Sequence, residues 1–255
     1  MMVFGRNFQK ILGRGLLAAA GLGVLALLGG AAFLAVPAPL LPEADAALRS
    51  TAQVTYSDAA GWLTFTPAGT VPTTGLIFYP GGRVPAAGYA PAASALAGQG
   101  FLVVIVPMPF NLAALNVEGA AAVQAAHPEI QHWAIGGHSL GGSMAAQYLA
   151  NHPGAARGLV LWASYSASDL SGQAGLRVVS VYGSLETEKP SFIAAEARAR
   201  VPAGAVYVEI SGGNHEQFGS YTGQPNDPPA ALPRAEQQAQ AVAATVQLLQ
   251  ALAAP

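Results

Sequence analysis

The 255-residue sequence contains no cysteine and very little charge. Without cysteine, the chain has no disulfide framework, no thiolate metal site and no cysteine nucleophile. Charged residues make up only 9% and hydrophobic residues 52%, which excludes a disordered, highly charged chain. The net charge of −2 shows no basic excess of the kind typical of nucleic-acid-binding domains, so we expect no nucleic-acid partner.

The few charges are unevenly placed around one long apolar run. Arg6, Lys10 and Arg14 are the only charged residues before Glu43, and residues 15–36 are wholly apolar. A helix of that length reaches about 33 Å, enough to cross a hydrocarbon core of about 30 Å. Basic residues on its N-terminal side favour a cytoplasmic N-terminus with the rest of the chain outside. We therefore expect a membrane-anchored protein with an extracytoplasmic domain.

Two other interpretations of the apolar run stay open. It is longer than the usual h-region of a cleaved signal peptide, although Ala44-Asp45-Ala46 offers a small-residue cleavage site, which would make the protein secreted. It could also be a buried core helix. The resulting division of the chain is a basic N-terminus over residues 1–14, the membrane or signal segment over 15–36, a proline-rich linker over 37–50, and one domain over 51–255.

Short apolar runs and helical stretches alternate along this domain. The predicted strands are 53–57, 62–66, 75–79, 101–106, 133–136, 158–163, 178–182 and 206–210. The predicted helices are 89–97, 117–126, 141–151, 191–200 and 234–252. Such alternation indicates βαβ units, and so an α/β fold with a mostly parallel sheet and helices on both faces.

The pentapeptide Gly137-His138-Ser139-Leu140-Gly141 matches the G-x-S-x-G nucleophile elbow. It directly follows a predicted strand and directly precedes a predicted helix. A tight strand-to-helix turn forces its central residue toward positive φ, and the flanking glycines remove side chains that would collide there. Ser139 is therefore the candidate nucleophile, exposed beyond the strand end at the positive end of a helix dipole.

A serine nucleophile needs a histidine base, and the chain offers one in the expected place. His215 follows the predicted 206–210 strand in the sequence Ser-Gly-Gly-Asn-His, and it is the only histidine beyond the later strands. Ligands of open α/β sheets meet the loops at the carboxyl ends of strands. The order serine, acid, histidine along the chain also agrees with this fold.

The acid that orients the histidine has three candidates. Glu186 lies just beyond the predicted 178–182 strand and is favoured. Asp169, in the loop after the 158–163 strand, and Glu188, two residues beyond Glu186, are the alternatives.

Acyl transfer also needs N–H donors for the developing oxyanion. The first is the backbone of Leu140, the residue after the nucleophile. The second should come from the loop after an earlier strand, and Tyr79-Pro80-Gly81-Gly82-Arg83 follows the 75–79 strand with paired glycines. We favour Gly82, with Gly81 and Arg83 as near neighbours.

Several stretches together resemble the α/β-hydrolase superfamily, and most closely its fold-5, dienelactone-hydrolase-like family. These are YPGGRV, FLVVIVPMPFNLA, HPEIQHWAIGGHSLGGSMAAQY, GLVLWASY and GGNHEQFGSY. The resemblance runs from about residue 51 to the C-terminal helix and implies an eight-stranded, mainly parallel sheet with a triad of Ser139, an acid and His215. The family commonly has aspartate where this chain has Glu186. Dienelactone hydrolases use a cysteine nucleophile, so their substrate is not implied here.

Together these features predict a serine hydrolase that cleaves a carboxylic ester or a related acyl bond of a small molecule. A non-enzymatic binding module with the same fold at the membrane surface is the alternative, and a haloperoxidase-like or C–C bond hydrolase would share the triad. The chain has no G-x-x-x-x-G-K-[ST] or H-E-x-x-H motif, and we expect no cofactor and no metal. The short 163–177 connection predicts an open site without a large lid.

Overall fold

A computed structural model describes residues 36–187 and 189–254 of the chain. The secondary-structure elements described here all belong to one compact unit that starts at Ala38. The predicted membrane or signal segment over residues 15–36 lies outside the described residues, apart from its last position. Within the described ranges, no helix is both long enough and apolar enough to cross a membrane.

The unit alternates strands and helices along the chain. The strands are β1 (Val54–Ser57), β2 (Leu63–Pro67), β3 (Thr74–Tyr79), β4 (Leu102–Ile105), β5 (His132–His138), β6 (Gly158–Trp162), β7 (Arg177–Gly183) and β8 (Val206–Ile210). The α-helices are α1 (Pro42–Ala46), α2 (Ala90–Ala97), α3 (Gly119–Ala126), α4 (Leu140–Asn151), α5 (Lys189–Ile193), α6 (Ala195–Arg198) and α7 (Arg234–Ala253). Short 3-10 turns cover Ala86–Tyr89, Pro109–Asn111, Ala113–Leu115 and Glu216–Phe218.

The strands form one eight-stranded sheet in the order β1-β2-β4-β3-β5-β6-β7-β8. Strand β2 is antiparallel to both β1 and β4, and all the other neighbours are parallel. The central strands β3, β4 and β6 are buried at every position, as their continuous apolar runs predict. Because parallel strands share a direction, the loops after β3, β5, β6, β7 and β8 meet at one edge of the sheet.

Two apolar clusters cover the two faces of the sheet. On one face, α2 and α7 pack against β-strand side chains that include Phe78, Val160 and Trp162. On the other face, α3 and α4 pack against side chains that include Ile77, Ile135 and Leu159. Alternate residues of the same strand, such as Ile77 and Phe78, enter opposite clusters because successive side chains of a strand point to opposite faces.

The segment predicted as a linker over residues 37–50 packs against the domain from Ala38 onward. The Ala38 N–H donates to the Arg83 carbonyl (2.8 Å), and the Leu41 N–H donates to the Ser220 carbonyl (3.0 Å). Ala44, in α1, is completely buried. The prolines therefore lie in an ordered strap across the domain, and the domain begins at about residue 38.

The connections after β6 and β7 are short. Residues 163–176 link β6 to β7 without a helix, and α5 and α6 are the only helices between β7 and β8 in the described part of the chain. These two helices contain five and four residues. The described connections therefore contain no helical domain large enough to form a dome over the carboxyl edge of the sheet.

Candidate active site

Ser139 lies on the sharp turn between β5 and α4. Its backbone has φ 52° and ψ −123°, in the positive-φ region that non-glycine residues rarely adopt. The Ser139 N–H donates to the Trp162 carbonyl (2.9 Å), and the Ser164 hydroxyl donates to the Ser139 carbonyl (2.7 Å). Both backbone groups of the serine are thus fixed by β6 and the loop after it. Strain of this kind concentrates at functional sites.

Two glycines of the elbow motif are required by close backbone contacts. A Cβ atom on Gly137 or on Gly141 would collide with the carbonyl oxygen of Tyr79, at the end of β3. A Cβ on Gly142 would come within 2.6 Å of the Ser164 hydroxyl. The start of α4 can therefore lie against the end of β3 only because these positions carry no side chain.

His215 and Glu186 form a buried hydrogen bond. The His215 Nδ1 lies 3.1 Å from Glu186 Oε2, and both side chains are almost fully buried. The second carboxylate oxygen, Oε1, accepts the Gly183 N–H at 2.7 Å. Because Glu186 binds Nδ1 of the ring, a proton exchanged with a nucleophile would pass through Nε2. This is the arrangement of base and orienting acid that a serine nucleophile requires.

Burial raises the pKa of Glu186 above its usual value, because a carboxylate loses hydration inside the protein. The hydrogen bond and the charge of His215, together with the Gly183 N–H, act in the opposite direction. The carboxylate is therefore held by its bonds to these two residues, and removing either would favour its protonated form.

Neither alternative acid occupies this position in the described structure. Asp169 is exposed, and its carboxylate accepts both the N–H (2.9 Å) and the hydroxyl (2.6 Å) of Ser171. It lines a surface hollow with residues such as Ala150 and Arg157, a set that contains neither Ser139 nor His215. Glu188 lies outside the described residues. Of the two candidates that the structure describes, Glu186 is the one hydrogen-bonded to His215.

The residues of the two expected oxyanion donors lie side by side: Gly82 faces the Leu140 side chain. A Cβ on Gly82 would lie 3.5 Å from Leu140 Cδ2. In the part of the chain that the structure describes, the Gly82 N–H and the Leu140 N–H have no hydrogen-bond acceptor. The amides on either side of Gly82 are occupied: Gly81 donates to the Tyr89 hydroxyl (3.0 Å), and Arg83 donates to the Asn111 carbonyl (2.8 Å). The sequence alone left Gly81 and Arg83 as other possible second donors to the oxyanion. Because their N–H groups are already bound, the hydrogen bonds favour Gly82 as that donor.

The backbone is strained both at Arg83 and in the 110–111 segment, whose Asn111 carbonyl accepts the Arg83 N–H. Arg83, Phe110 and Asn111 all have positive φ, between 52° and 65°. For non-glycine residues this costs about 1–3 kcal/mol each, so surrounding contacts must hold them in place. The Phe110 side chain in this segment is 72% exposed to solvent.

His138 connects the nucleophile segment to the histidine loop. Its ring centroid lies 4.6 Å from that of His215, and it stacks on Phe218 at 5.7 Å. His138 Nδ1 lies 2.8 Å from the Tyr89 hydroxyl. Sequence reasoning missed His138 and Tyr89, because the first is a variable position of the elbow motif and the second lies in an ordinary helix start.

The His215 loop is fixed by polar groups from the 221–233 loop and from the first residue of α7. Asp227 accepts the N–H of His215 (3.1 Å) with one carboxylate oxygen and the N–H of Glu216 (2.8 Å) with the other. Arg234 donates to the carbonyls of Glu216 and Gly219. The aspartate and the arginine carry no motif, so only their contacts identify them.

A pocket of about 230 Å³ opens beside Ser139. Its walls come from α4, the loop after β6 and α5, and its lining residues are Ser139, Leu140, Ser143, Ala163, Ser164, Tyr165 and Phe192. Larger hollows of about 590 and 580 Å³ lie elsewhere, and their linings include neither Ser139 nor His215 nor Glu186. We take the 230 Å³ pocket as the candidate binding site because Ser139, the partly exposed candidate nucleophile, lines it. No group of three or more potential metal ligands occurs among residues 36–187 and 189–254.

Comparison with known proteins agrees with this architecture. A model of the "Alpha/beta hydrolase family" matches residues 75–239, more than half of the chain. The chain belongs to the alpha/beta hydrolase family. This confirms the family expected from the sequence motifs. A search of the curated proteins found no match to the sequence.

Two solved structures illustrate the shared fold. The protein TT1662 from Thermus thermophilus is 15% identical, with a TM-score of 0.54 over 79% of this chain and 99% of its own. A dienelactone hydrolase-like promiscuous phosphotriesterase from metagenomic libraries is 18% identical, with a TM-score of 0.55 over 78% of this chain and 96% of its own. At these identities the likeness concerns the fold alone.

Proposed function

We propose that this member of the alpha/beta hydrolase family is a serine hydrolase that cleaves carboxylic esters or related acyl bonds. The hydrogen bond between His215 Nδ1 and Glu186, buried beside the elbow that presents Ser139, is the observation that carries the proposal. A histidine that an acid orients through Nδ1 is the base that a serine hydroxyl needs.

The proposed reaction passes through an acyl-enzyme. Ser139 Oγ attacks the carbonyl carbon of the ester while His215 Nε2 takes the hydroxyl proton. The tetrahedral oxyanion collapses, the bond to the alkoxy oxygen breaks, and His215 returns the proton to the departing alcohol. Water then attacks the acyl group in the same way, which releases the carboxylic acid and restores Ser139. Glu186 holds the imidazole and stabilises its charged form.

The N–H groups of Gly82 and Leu140 are the proposed donors to the oxyanion. Gly82 lies beside the Leu140 side chain, and no described residue accepts from either N–H. Leu140 begins α4, whose positive dipole end also favours negative charge at this place. Loss of one such donor typically costs about 2.7–4 kcal/mol of transition-state stabilisation.

The pocket favours a small substrate. Its volume is about 230 Å³, below the range of about 300–1,000 Å³ typical of sites for drug-sized ligands. Tyr165 and the buried Phe192 supply apolar surface, while Ser143 and Ser164 supply hydroxyl groups. A short acyl group in this pocket, with the alcohol directed to solvent, fits the absence of a helical dome over the described sheet edge.

The test is covalent labelling together with ester hydrolysis by the full-length protein. A fluorophosphonate probe should label the wild type rapidly, and Ser139→Ala should abolish both labelling and p-nitrophenyl acetate hydrolysis. Ser143→Ala is the matched control for labelling alone and should still be labelled, because Ser143 lines the same pocket but bonds to the Tyr165 carbonyl. His215→Ala should also abolish hydrolysis. A wild type that neither labels nor hydrolyses would favour the non-enzymatic binding module instead.

A panel of substrates tests the bond type. Paraoxon is included because one structural relative is described as a promiscuous phosphotriesterase. We expect short p-nitrophenyl esters to be cleaved faster than paraoxon. Faster cleavage of paraoxon, or of a C–C bond substrate, would overturn the assignment to carboxylic esters.

Attachment to a membrane through residues 15–36 is part of the proposal, and its support is the sequence pattern. The domain would then lie outside the cytoplasm, or be secreted if the segment is cleaved. Protease treatment of intact and lysed cells that express the full chain should degrade the domain in both. Protection in intact cells would contradict an external location.

A further inference from the structure

The hydroxyl of Tyr89 lies at the junction of three parts of the candidate site. It accepts the Gly81 N–H (3.0 Å), next to the proposed oxyanion donor Gly82, and it lies 2.8 Å from Nδ1 of His138. His138 in turn directly precedes Ser139 and packs against the ring of His215. Tyr89 and His138 are each about 1% exposed. Their link is therefore shielded from water.

The direction of these hydrogen bonds follows from the charge states and from the tautomer of His138. Burial lowers the pKa of His138 well below its usual value, the charge of His215 adds to this shift, and a backbone hydrogen bond of His215 opposes it. Burial also raises the pKa of Tyr89. A neutral histidine has one donor and one acceptor nitrogen; with its proton on Nε2, His138 accepts at Nδ1 and the protonated tyrosine donates to it. One lone pair of the tyrosine oxygen is then left to accept from Gly81.

Neighbouring rings keep both side chains in place. The Tyr89 ring lies 5.0 Å from Phe78, and the His138 ring lies 5.7 Å from Phe218 in a stacked arrangement. A Cβ on Gly81 would collide with the Tyr89 hydroxyl and with His138 Nδ1, at 2.9 and 2.7 Å. The glycine, the hydroxyl and the imidazole thus fit together with no room for another arrangement.

The hydrogen bond from Gly81 to Tyr89 helps determine which backbone N–H of the loop after β3 stays without an acceptor. Gly81 is bound to Tyr89 and Arg83 is bound to Asn111, so the amide between them is the one without an acceptor in the described chain. Without the hydroxyl, the buried Gly81 N–H would lose its acceptor, and rotation of that peptide to find another would also turn Gly82.

We propose that Tyr89, oriented by His138, is a positioning residue of the oxyanion hole: its hydroxyl binds the Gly81 N–H and so leaves the Gly82 N–H directed at the substrate. This inference rests on the proposed function. It assigns Tyr89 and His138 no contact with substrate, because the effect of Tyr89 on Gly82 passes through the backbone of Gly81.

The first test compares Tyr89→Phe with wild type in p-nitrophenyl acetate hydrolysis. The kcat per labelled serine, counted with the fluorophosphonate at completion, should fall at least about tenfold with KM changed less than about twofold, because a displaced donor weakens only transition-state binding. Tyr56→Phe, on the edge strand β1, is the control and should match wild type. A merely structural role would lower the melting temperature and leave kcat per labelled serine unchanged, which would overturn the inference.

The second test uses His138. The amide oxygen of asparagine can occupy the place of Nδ1, so His138→Asn should recover most of the kcat that His138→Leu loses. The double variant Tyr89→Phe/His138→Leu should be no slower than the slower single variant, because both remove the same link. Additive losses, or equal kcat in the asparagine and leucine variants, would contradict the proposal.

The outcomes also separate this inference from the proposed function. A wild type without esterase activity defeats the proposed function. An active wild type whose kcat survives Tyr89→Phe defeats only the role of Tyr89.

Discussion

Gln237 of α7 forms a pair of hydrogen bonds with the backbone of Asn214. Its Oε1 accepts the Asn214 N–H at 3.1 Å, and its Nε2 donates to the Asn214 carbonyl at 2.7 Å. Gln237 is completely buried. The C-terminal helix thus fixes the residue that directly precedes His215, and the position of the proposed base depends on the position of this helix.

Replacing Gln237 by alanine should therefore weaken both the fold and the activity. Two buried backbone groups would lose their partners at about 1–3 kcal/mol each, so we expect the free energy of unfolding to fall by about 2–4 kcal/mol. The kcat for p-nitrophenyl acetate should fall as well, because the His215 loop is loosened. Gln240→Ala is the control on the exposed face of the same helix. Urea unfolding and steady-state kinetics measure the two effects, and equal stability of the two variants would contradict the structural assignment.

Replacing Glu186 by glutamine should nearly abolish hydrolysis. The amide cannot stabilise a charged imidazole, and loss of the orienting carboxylate in such triads lowers kcat by up to about 10⁴-fold. Asp169→Asn should stay within about twofold of wild type, because this carboxylate is exposed and bonded to Ser171. Rates measured at saturating ester decide between the two. A larger loss in Asp169→Asn would transfer the role of acid to that residue.

Adding a single methyl group at Gly141 should destabilise the protein strongly. The new Cβ would collide with the Tyr79 carbonyl, which is backbone and cannot move aside without disturbing β3. Overpacking of this kind costs about 1–3 kcal/mol or more. Gly204→Ala is the matched control, because nothing lies within 4 Å of its Cβ position. A thermal unfolding series should separate the two variants by several degrees, and equal melting temperatures would show that the elbow has more room than the structure indicates.

The buried histidine of the elbow should leave a signature in the pH dependence of stability. In the unfolded chain, His138 takes up a proton below pH about 6.5. In the folded chain burial lowers its pKa, so it stays neutral in this range. The unfolded state therefore binds more protons as the pH falls, and the free energy of unfolding decreases.

His138→Asn removes this titration and is the variant that measures it. Between pH 7.0 and 5.5 the wild type should lose about 1 kcal/mol more than the variant. Urea unfolding at the two pH values gives the difference. The neighbouring groups Tyr89, His215 and Glu186 are present in both proteins, so a common pH dependence would mean that His138 does not titrate differently on unfolding.

Much of the fold could be predicted because it depends on local patterns. The predicted ends of strands β3 to β8 each lie within two residues of the observed ends. Short runs of β-branched and aromatic residues between glycine-rich turns rarely form anything other than strands. Helix α7 was predicted from the apolar spacing of Val242, Val246 and Leu249, and the parallel sheet followed from alternation.

The sequence predicted the candidate site only at residues that belong to a motif or that follow a predicted strand. Ser139, His215 and Glu186 stand next to strand ends, so the topology alone brings them to one edge of the sheet. Tyr89 and Gln237 act through contacts that join segments 8 to 49 residues apart, and these contacts depend on how α2 and α7 lie on the sheet. No pattern along the chain specifies that packing.

The strap over residues 38–50 shows the same limit. Its prolines indicated a stiff, extended linker after the apolar run, yet Leu40 pairs with Tyr221 as an isolated antiparallel bridge. Proline favours extended chain in a linker and in an edge contact alike. Only the partner, 181 residues later, distinguishes the two.

The hydrogen bond between the Arg83 N–H and the Asn111 carbonyl determines which segments must be transferred together if this site is grafted onto another protein. The loop after β3 takes its shape from a segment 28 residues further along, which is itself held at positive φ. A chimera that imports residues 80–84 alone into another enzyme of this architecture would leave that amide without its acceptor. A chimera that keeps the shape of this loop must therefore contain residues 108–112 as well as residues 80–84.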